Sequence, residues 1–123
     1  MIVVDSSGWI ECANRGPNTQ AFAPAILATE QLVVPTIVMY EVAKVLRRFD
    51  EKAALTTLGV MLRSNVVDLD ASGAVHAAAV SAETGLAMAD AIILATARAH
   101  RAELWTMDAH FEGLPGARYI PPA

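Results

Sequence analysis

Two stretches of this chain, Ile2-Val3-Val4 and Leu32-Val33-Val34, are apolar at every position, and Val66-Val67-Asp68-Leu69 and Glu103-Leu104-Trp105-Thr106 are nearly so. A strand with one wet face alternates polar and apolar residues, whereas a strand covered on both faces does not. The segments between these runs carry helical spacing. Strands separated by helices return to the same edge of a sheet, so the expected architecture is a three-layer α/β/α sandwich around a mainly parallel sheet of about five strands. At 123 residues the chain has the size of one domain, and residues 1–123 are expected to share one core.

The first strand closes on Asp5, after which Ser6 or Ser7 is placed to cap a helix through Trp9-Ile10-Glu11. A turn at Asn14-Arg15-Gly16-Pro17-Asn18 leads to a helix from Thr19 to Thr29 that Pro24 must kink or restart. Pro35 ends the second strand. Thr36 then caps a helix to about Arg48, Asp50 one to about Arg63, and Ser72 one that stops at Gly85. Helical spacing resumes from Ala89 to Arg101, and Tyr119-Ile120, followed by Pro121-Pro122, suits a fifth strand at an edge.

Against this apolar background stand four carboxylates: Asp5 closing the first strand, Glu41 inside Ile37-Val38-Met39-Tyr40-Glu41-Val42, Asp90 opening Ala91-Ile92-Ile93-Leu94, and Asp108 after Met107. Burying an ionised carboxylate without a partner costs several kcal/mol, and few Lys or Arg lie nearby in sequence, which points to a divalent cation. In a parallel sheet, ligands bind beyond the carboxyl ends of the strands, near the point where strand order reverses. Asp5 and Asp108 fall at such ends, and Glu41 lies in the helix directly after the second strand. Asp90 precedes the fourth strand and needs a tertiary bend to join them.

Each acid also has a local explanation. Asp5 can form an Asx turn or cap, Glu41 can pair with Lys44 on an exposed helix face, Asp90 can cap the helix to Arg101, and Asp108 can cap the turn Ala109-His110-Phe111. If the Asp90 helix begins nearer Leu86 or Met88, Asp90 falls on an apolar stripe instead. His76 and His100 lack a second His or a Cys at ligand spacing, while His110 is closer to the expected site. Trp9, Trp105 and Phe111 can stack on bases or fill a core. Arg47, Arg48 and Arg63 form the one basic patch, on surfaces suited to solvent.

Composition narrows the function classes. Cys12 is the only cysteine, which excludes an intrachain disulfide and a thiolate metal cluster and leaves a small buried hydrophobe. Without a basic leader region, and with no apolar run near ~18 residues, neither export nor membrane insertion is expected, and the expected location is cytoplasmic. A net charge of −4 opposes general nucleic-acid binding, which relies on Lys and Arg neutralising phosphates. The four acids themselves carry that much charge, and two divalent cations would cancel it.

The order of motifs resembles the PIN-domain ribonucleases of the VapC toxin type. The resemblance rests on Asp5-Ser6-Ser7 with Trp9-Ile10, Pro35 then Glu41, Ala89-Asp90-Ala91 with the apolar helix behind it, and Leu104-Trp105-Thr106-Met107-Asp108-Ala109-His110-Phe111 before Leu114-Pro115-Gly116. It implies an α/β/α fold with five parallel strands, an acidic quartet of Asp5, Glu41, Asp90 and Asp108, and Ser6 and Thr106 as supporting groups. It further implies one or two Mg²⁺ or Mn²⁺ ions, and RNA cleavage leaving a 5′-phosphate and a 3′-hydroxyl. A small antitoxin that blocks the acidic cleft and a homodimer are also implied. His110 departs from the pattern, since many relatives carry another acid there.

Residue chemistry leads the same way. Oxygen ligands favour Mg²⁺ or Mn²⁺ over zinc, with in-line hydrolysis of RNA as the expected reaction and Lys44 and Arg48 as weak candidates for the phosphate backbone. A phosphoryl-accepting receiver domain needs a late-strand lysine, but the only lysines are Lys44 and Lys52, in early helices. An Asp-x-Asp phosphatase fails because Ser6 and Ser7 follow Asp5. A noncatalytic α/β binding domain and an RNA-processing nuclease without an antitoxin stay open.

Overall fold

The computed structural model describes residues 1–123. Strands β1 (Ile2–Val4), β2 (Leu32–Pro35), β3 (Asn65–Val67), β4 (Glu103–Thr106) and β5 (Ala117–Tyr119) form one sheet in the order β3-β2-β1-β4-β5, with every pairing parallel. The chain builds outward from β1 through β2 to β3, then crosses back to place β4 on the other side of β1. The β1/β4 boundary is therefore the switch point at which strand order reverses.

Helices α1 (Ser6–Ala13), α2 (Thr19–Leu27), α3 (Thr36–Leu46) and α4 (Glu51–Leu62) pack together on one face, as right-handed crossovers in one direction require. The return crossover from β3 to β4 carries α5 (Ala71–Thr84) and α6 (Met88–Ala99) to the other face. Between the layers lies one cluster of 25 buried apolar residues, including Val3, Val4, Val33, Val34 and Leu104 from the central strands. Most of α6 is sunk in it, with Ala91 to Ala95 buried without a break. No single helix is long and apolar enough to cross a membrane.

Several helix starts differ from expectation. Asp5, rather than Ser6 or Ser7, caps α1, its carboxylate accepting the Gly8 N–H. Asp70, rather than Ser72, caps α5 through Gly73. Helix α3 starts at Thr36 itself, behind Pro35, without a side-chain cap. Asp50 does cap α4, bonding the N–H groups of Lys52 and Ala53. At α1 and α5, where a serine was also available, the carboxylate, a charged acceptor for helix N–H groups, takes the cap.

Element ends shift for similar local reasons. Helix α2 stops at Leu27 and passes through Pro24 as one element, and α6 stops at Ala99, with Arg101 at a φ of 52° in the reversal before β4. Strand β3 begins at Asn65 and omits Asp68 and Leu69. As the edge strand it exposes Asn65 and Val66, so it is not covered on both faces. Gly85 ends α5 at a φ of 77°, a left-handed conformation that glycine adopts freely. Trp9 and Phe111 are buried in the core and unavailable for stacking on bases. Trp105 is half-buried, with the Arg118 guanidinium 4.4 Å from its ring centroid.

Candidate active site

Strand β1 ends where the sheet reverses, and there Asp5 is 3% exposed. Its Oδ1 accepts from the Ser7 hydroxyl at 2.6 Å and the Gly8 N–H at 3.3 Å, and its Oδ2 accepts from the Thr106 hydroxyl at 2.7 Å. The same hydroxyls reach the segment after β4: Ser7 Oγ accepts the Met107 N–H at 3.0 Å, and Thr106 Oγ1 the Asp108 N–H at 2.9 Å. Two strand ends are thereby tied into one rigid platform. Even with three hydrogen bonds, Asp5 has its pKa pushed up to about 6, chiefly by burial, with the Asp108 charge adding to it.

Glu41 arrives in the second turn of α3. Its Oε1 is buried without a hydrogen-bond partner. Burial raises its pKa, the Ser6 hydroxyl opposes that rise without forming a bond of standard geometry, and the charges of Asp90 and Asp108 add to it. The expected exposed pair with Lys44 does not form. Lys44 Nζ instead sits 5.9 Å from the centroid of the Tyr40 ring, near enough to lower the Glu41 pKa somewhat. Arg48 lies exposed past the end of α3, about two helical turns, or roughly 10 Å, from Glu41.

Asp90 reaches the same edge because α6, not α5, packs on the sheet. A crossover helix that leads into a strand begins at the carboxyl edge, so the first turn of α6 is delivered there, while α5 packs on α6 and meets it at 111°. Ala87 occupies the cap position, so Asp90 is not the cap. Its pKa is raised by burial first and by the Asp108 charge second, with His110 opposing. Asp108 does cap the short 3₁₀ turn Ala109–Phe111, accepting the His110 N–H at 2.9 Å, and it also faces the cluster.

Mutual repulsion thus links all four acids, and no Lys or Arg pairs with any of them. The carboxylates of Asp90 and Asp108 and the ring of His110 offer ligand atoms all within 4.8 Å of one another. Such a donor set, mostly oxygen and standing near the orphaned, buried Oε1 of Glu41, fits a divalent cation. One participant was not legible as such: Ser7 rather than Ser6 holds Asp5, a pattern that follows once Asp5 is the cap. His110, placed near the site by the sequence with its part left open, closes on two of the acids.

The PIN domain family model matches residues 2–117. The chain belongs to the PIN-domain family. Its PIN fold aligns with a toxin–antitoxin complex from Klebsiella pneumoniae at 26% identity and a TM-score of 0.80, covering 98% of this chain and 100% of that one. The Mycobacterium tuberculosis toxin VapC20, described as cleaving the sarcin–ricin loop, aligns at 21% identity and 0.75, covering 99% of this chain and 100% of the other. The DNA-bound VapBC of Salmonella typhimurium aligns at 20% and 0.74, covering 98% of each. At these last two identities the likeness is one of fold. No match was found among curated proteins.

Proposed function

We propose that this PIN protein is a metal-dependent endoribonuclease and the toxin of a toxin–antitoxin pair. The observation that carries the reading is the convergence of Asp5, Glu41, Asp90 and Asp108 at the switch point, with Glu41 Oε1 buried and unpartnered. Family membership and the likeness to toxin–antitoxin structures support it.

Asp5, Asp90 and Asp108 would hold one or two Mg²⁺ or Mn²⁺ ions, directly or through water, and Glu41 would be a further ligand or orient the attacking water. A divalent cation in such a site polarises the phosphodiester and lowers the pKa of water. The Ser7 and Thr106 hydroxyls hold Asp5 in one orientation, so the site is arranged before substrate arrives. Ser6 lies beside Glu41. Lys44, and Arg48 beyond the end of α3, attract the RNA backbone. The products carry a 5′-phosphate and a 3′-hydroxyl.

The partners of this reading are cellular RNA in the cytoplasm, a small antitoxin that covers the acidic cleft, and a second copy of the chain. Cleavage mapping on cellular RNA with purified protein and Mg²⁺ or Mn²⁺ tests it. Asp5→Asn is expected to lose more than about a hundredfold in rate, beyond the scale seen for groups that merely support a metal ligand. Undiminished cleavage by Asp5→Asn at saturating metal would overturn the assignment.

A further inference from the structure

We propose that His110 is a direct ligand of the ion through Nδ1, and that this makes the site prefer Mn²⁺ to Mg²⁺. The inference rests on the metal-dependent reading above and adds to it an identity for one ligand and a choice of ion.

The local fold delivers the ring to the cluster. Asp108 Oδ1 accepts the backbone N–H of His110, while the next residue, Phe111, is fully buried and pins the turn to the core. From that anchored turn Nδ1 reaches 3.1 Å from Asp108 Oδ1 and 3.6 Å from Asp90 Oδ2. An octahedral ion with bonds of roughly 2.1 Å separates adjacent ligand atoms by about 3 Å and opposite ones by about 4.2 Å. The 3.1 Å separation matches adjacent vertices, and the 3.6 Å one lies between the two values and closes to an adjacent vertex with a shift of roughly half an ångström by the exposed ring.

A plain ion pair accounts for less. The His110 side chain is 77% exposed, where a pair with a carboxylate is screened by solvent and holds a ring weakly. One ring nitrogen directed at two acids from different elements is instead the arrangement of a third vertex around a shared ion. Mg²⁺ demands oxygen ligands, whereas imidazole suits first-row transition ions, so two carboxylates with one imidazole shift the preference away from Mg²⁺.

Pulsed electron paramagnetic resonance on the Mn²⁺-loaded protein reads the bond itself, and isothermal titration with Mn²⁺ and Mg²⁺ reads the preference. The expected result is nitrogen modulation on the Mn²⁺ signal that disappears in His110→Asp, a surface variant that still binds Mn²⁺. The ratio of Mn²⁺ to Mg²⁺ affinity should fall at least about tenfold in that variant. Mn²⁺ bound without nitrogen modulation, or with modulation that persists in His110→Asp, overturns the proposal and leaves the metal-dependent reading standing. No Mn²⁺ binding to the unmodified protein overturns both.

Discussion

Asp5 accepts hydrogen bonds from Ser7, Gly8 and Thr106, yet its pKa still stands at about 6 because burial outweighs all three. Its folded pKa lies above the ordinary aspartate value of 3.8, so the folded protein binds the proton more tightly than the unfolded chain does. The stability this contributes is full below about pH 4 and is lost as pH rises through about 6, on the order of 3 kcal/mol. Urea unfolding of metal-free protein is expected to show this decline, and Asp5→Asn is expected to flatten it. Mn²⁺ should raise the unfolding midpoint more at pH 7 than at pH 5, since protons compete for the carboxylates. Thr106 is a second residue with one test. Its hydroxyl serves both Asp5 and the Asp108 N–H, so Thr106→Val leaves one buried and one partly buried group short and should cost about 1–3 kcal/mol by thermal unfolding. The four acids were legible as residues because each interrupts or closes an apolar run. The role of Ser7 was not, because it depends on Asp5 rather than a serine taking the helix cap.

At the scale of elements, α1 sits unusually close to its neighbours at Gly8. A Cβ there would lie 2.6 Å from Val4 Cγ1 and 2.7 Å from Phe22 Cδ1, inside contact distance. Gly8→Ala should push α1 off β1 and α2 and cost about 1–3 kcal/mol by thermal unfolding. Since Gly8 also donates to Asp5, the variant should weaken Mn²⁺ binding as well. The strands and helices themselves follow from apolar runs and helical spacing, and their parallel pairing follows from the alternation of the two, whereas the strand order comes from the structure. Boundaries were less legible: β3 is shorter and β5 begins earlier than the apolar pattern suggests, because pairing partners rather than composition decide where edge strands stop. Asp90 shows the same limit. Nothing in the spacing of Ala71 to Ala99 says which of two consecutive helices packs on the sheet, and that choice alone brings Asp90 to the carboxyl edge.

For the whole molecule, the strand order β3-β2-β1-β4-β5 gathers acids that are up to 103 residues apart at one reversal. Net charge and site then work together. At −4 the metal-free chain repels a polyanion, so its affinity for RNA should be weak and should rise when Mn²⁺ is added, as fluorescence anisotropy on RNA under noncleaving conditions with Asp5→Asn would report. The placement of an ion among Asp5, Glu41, Asp90 and Asp108 underlies every one of these expectations. Anomalous diffraction from crystals soaked in Mn²⁺ tests it most directly. A peak within bonding distance of Asp90 and Asp108 and beside Asp5 is predicted, whereas no peak among the four acids at saturating Mn²⁺ would contradict it.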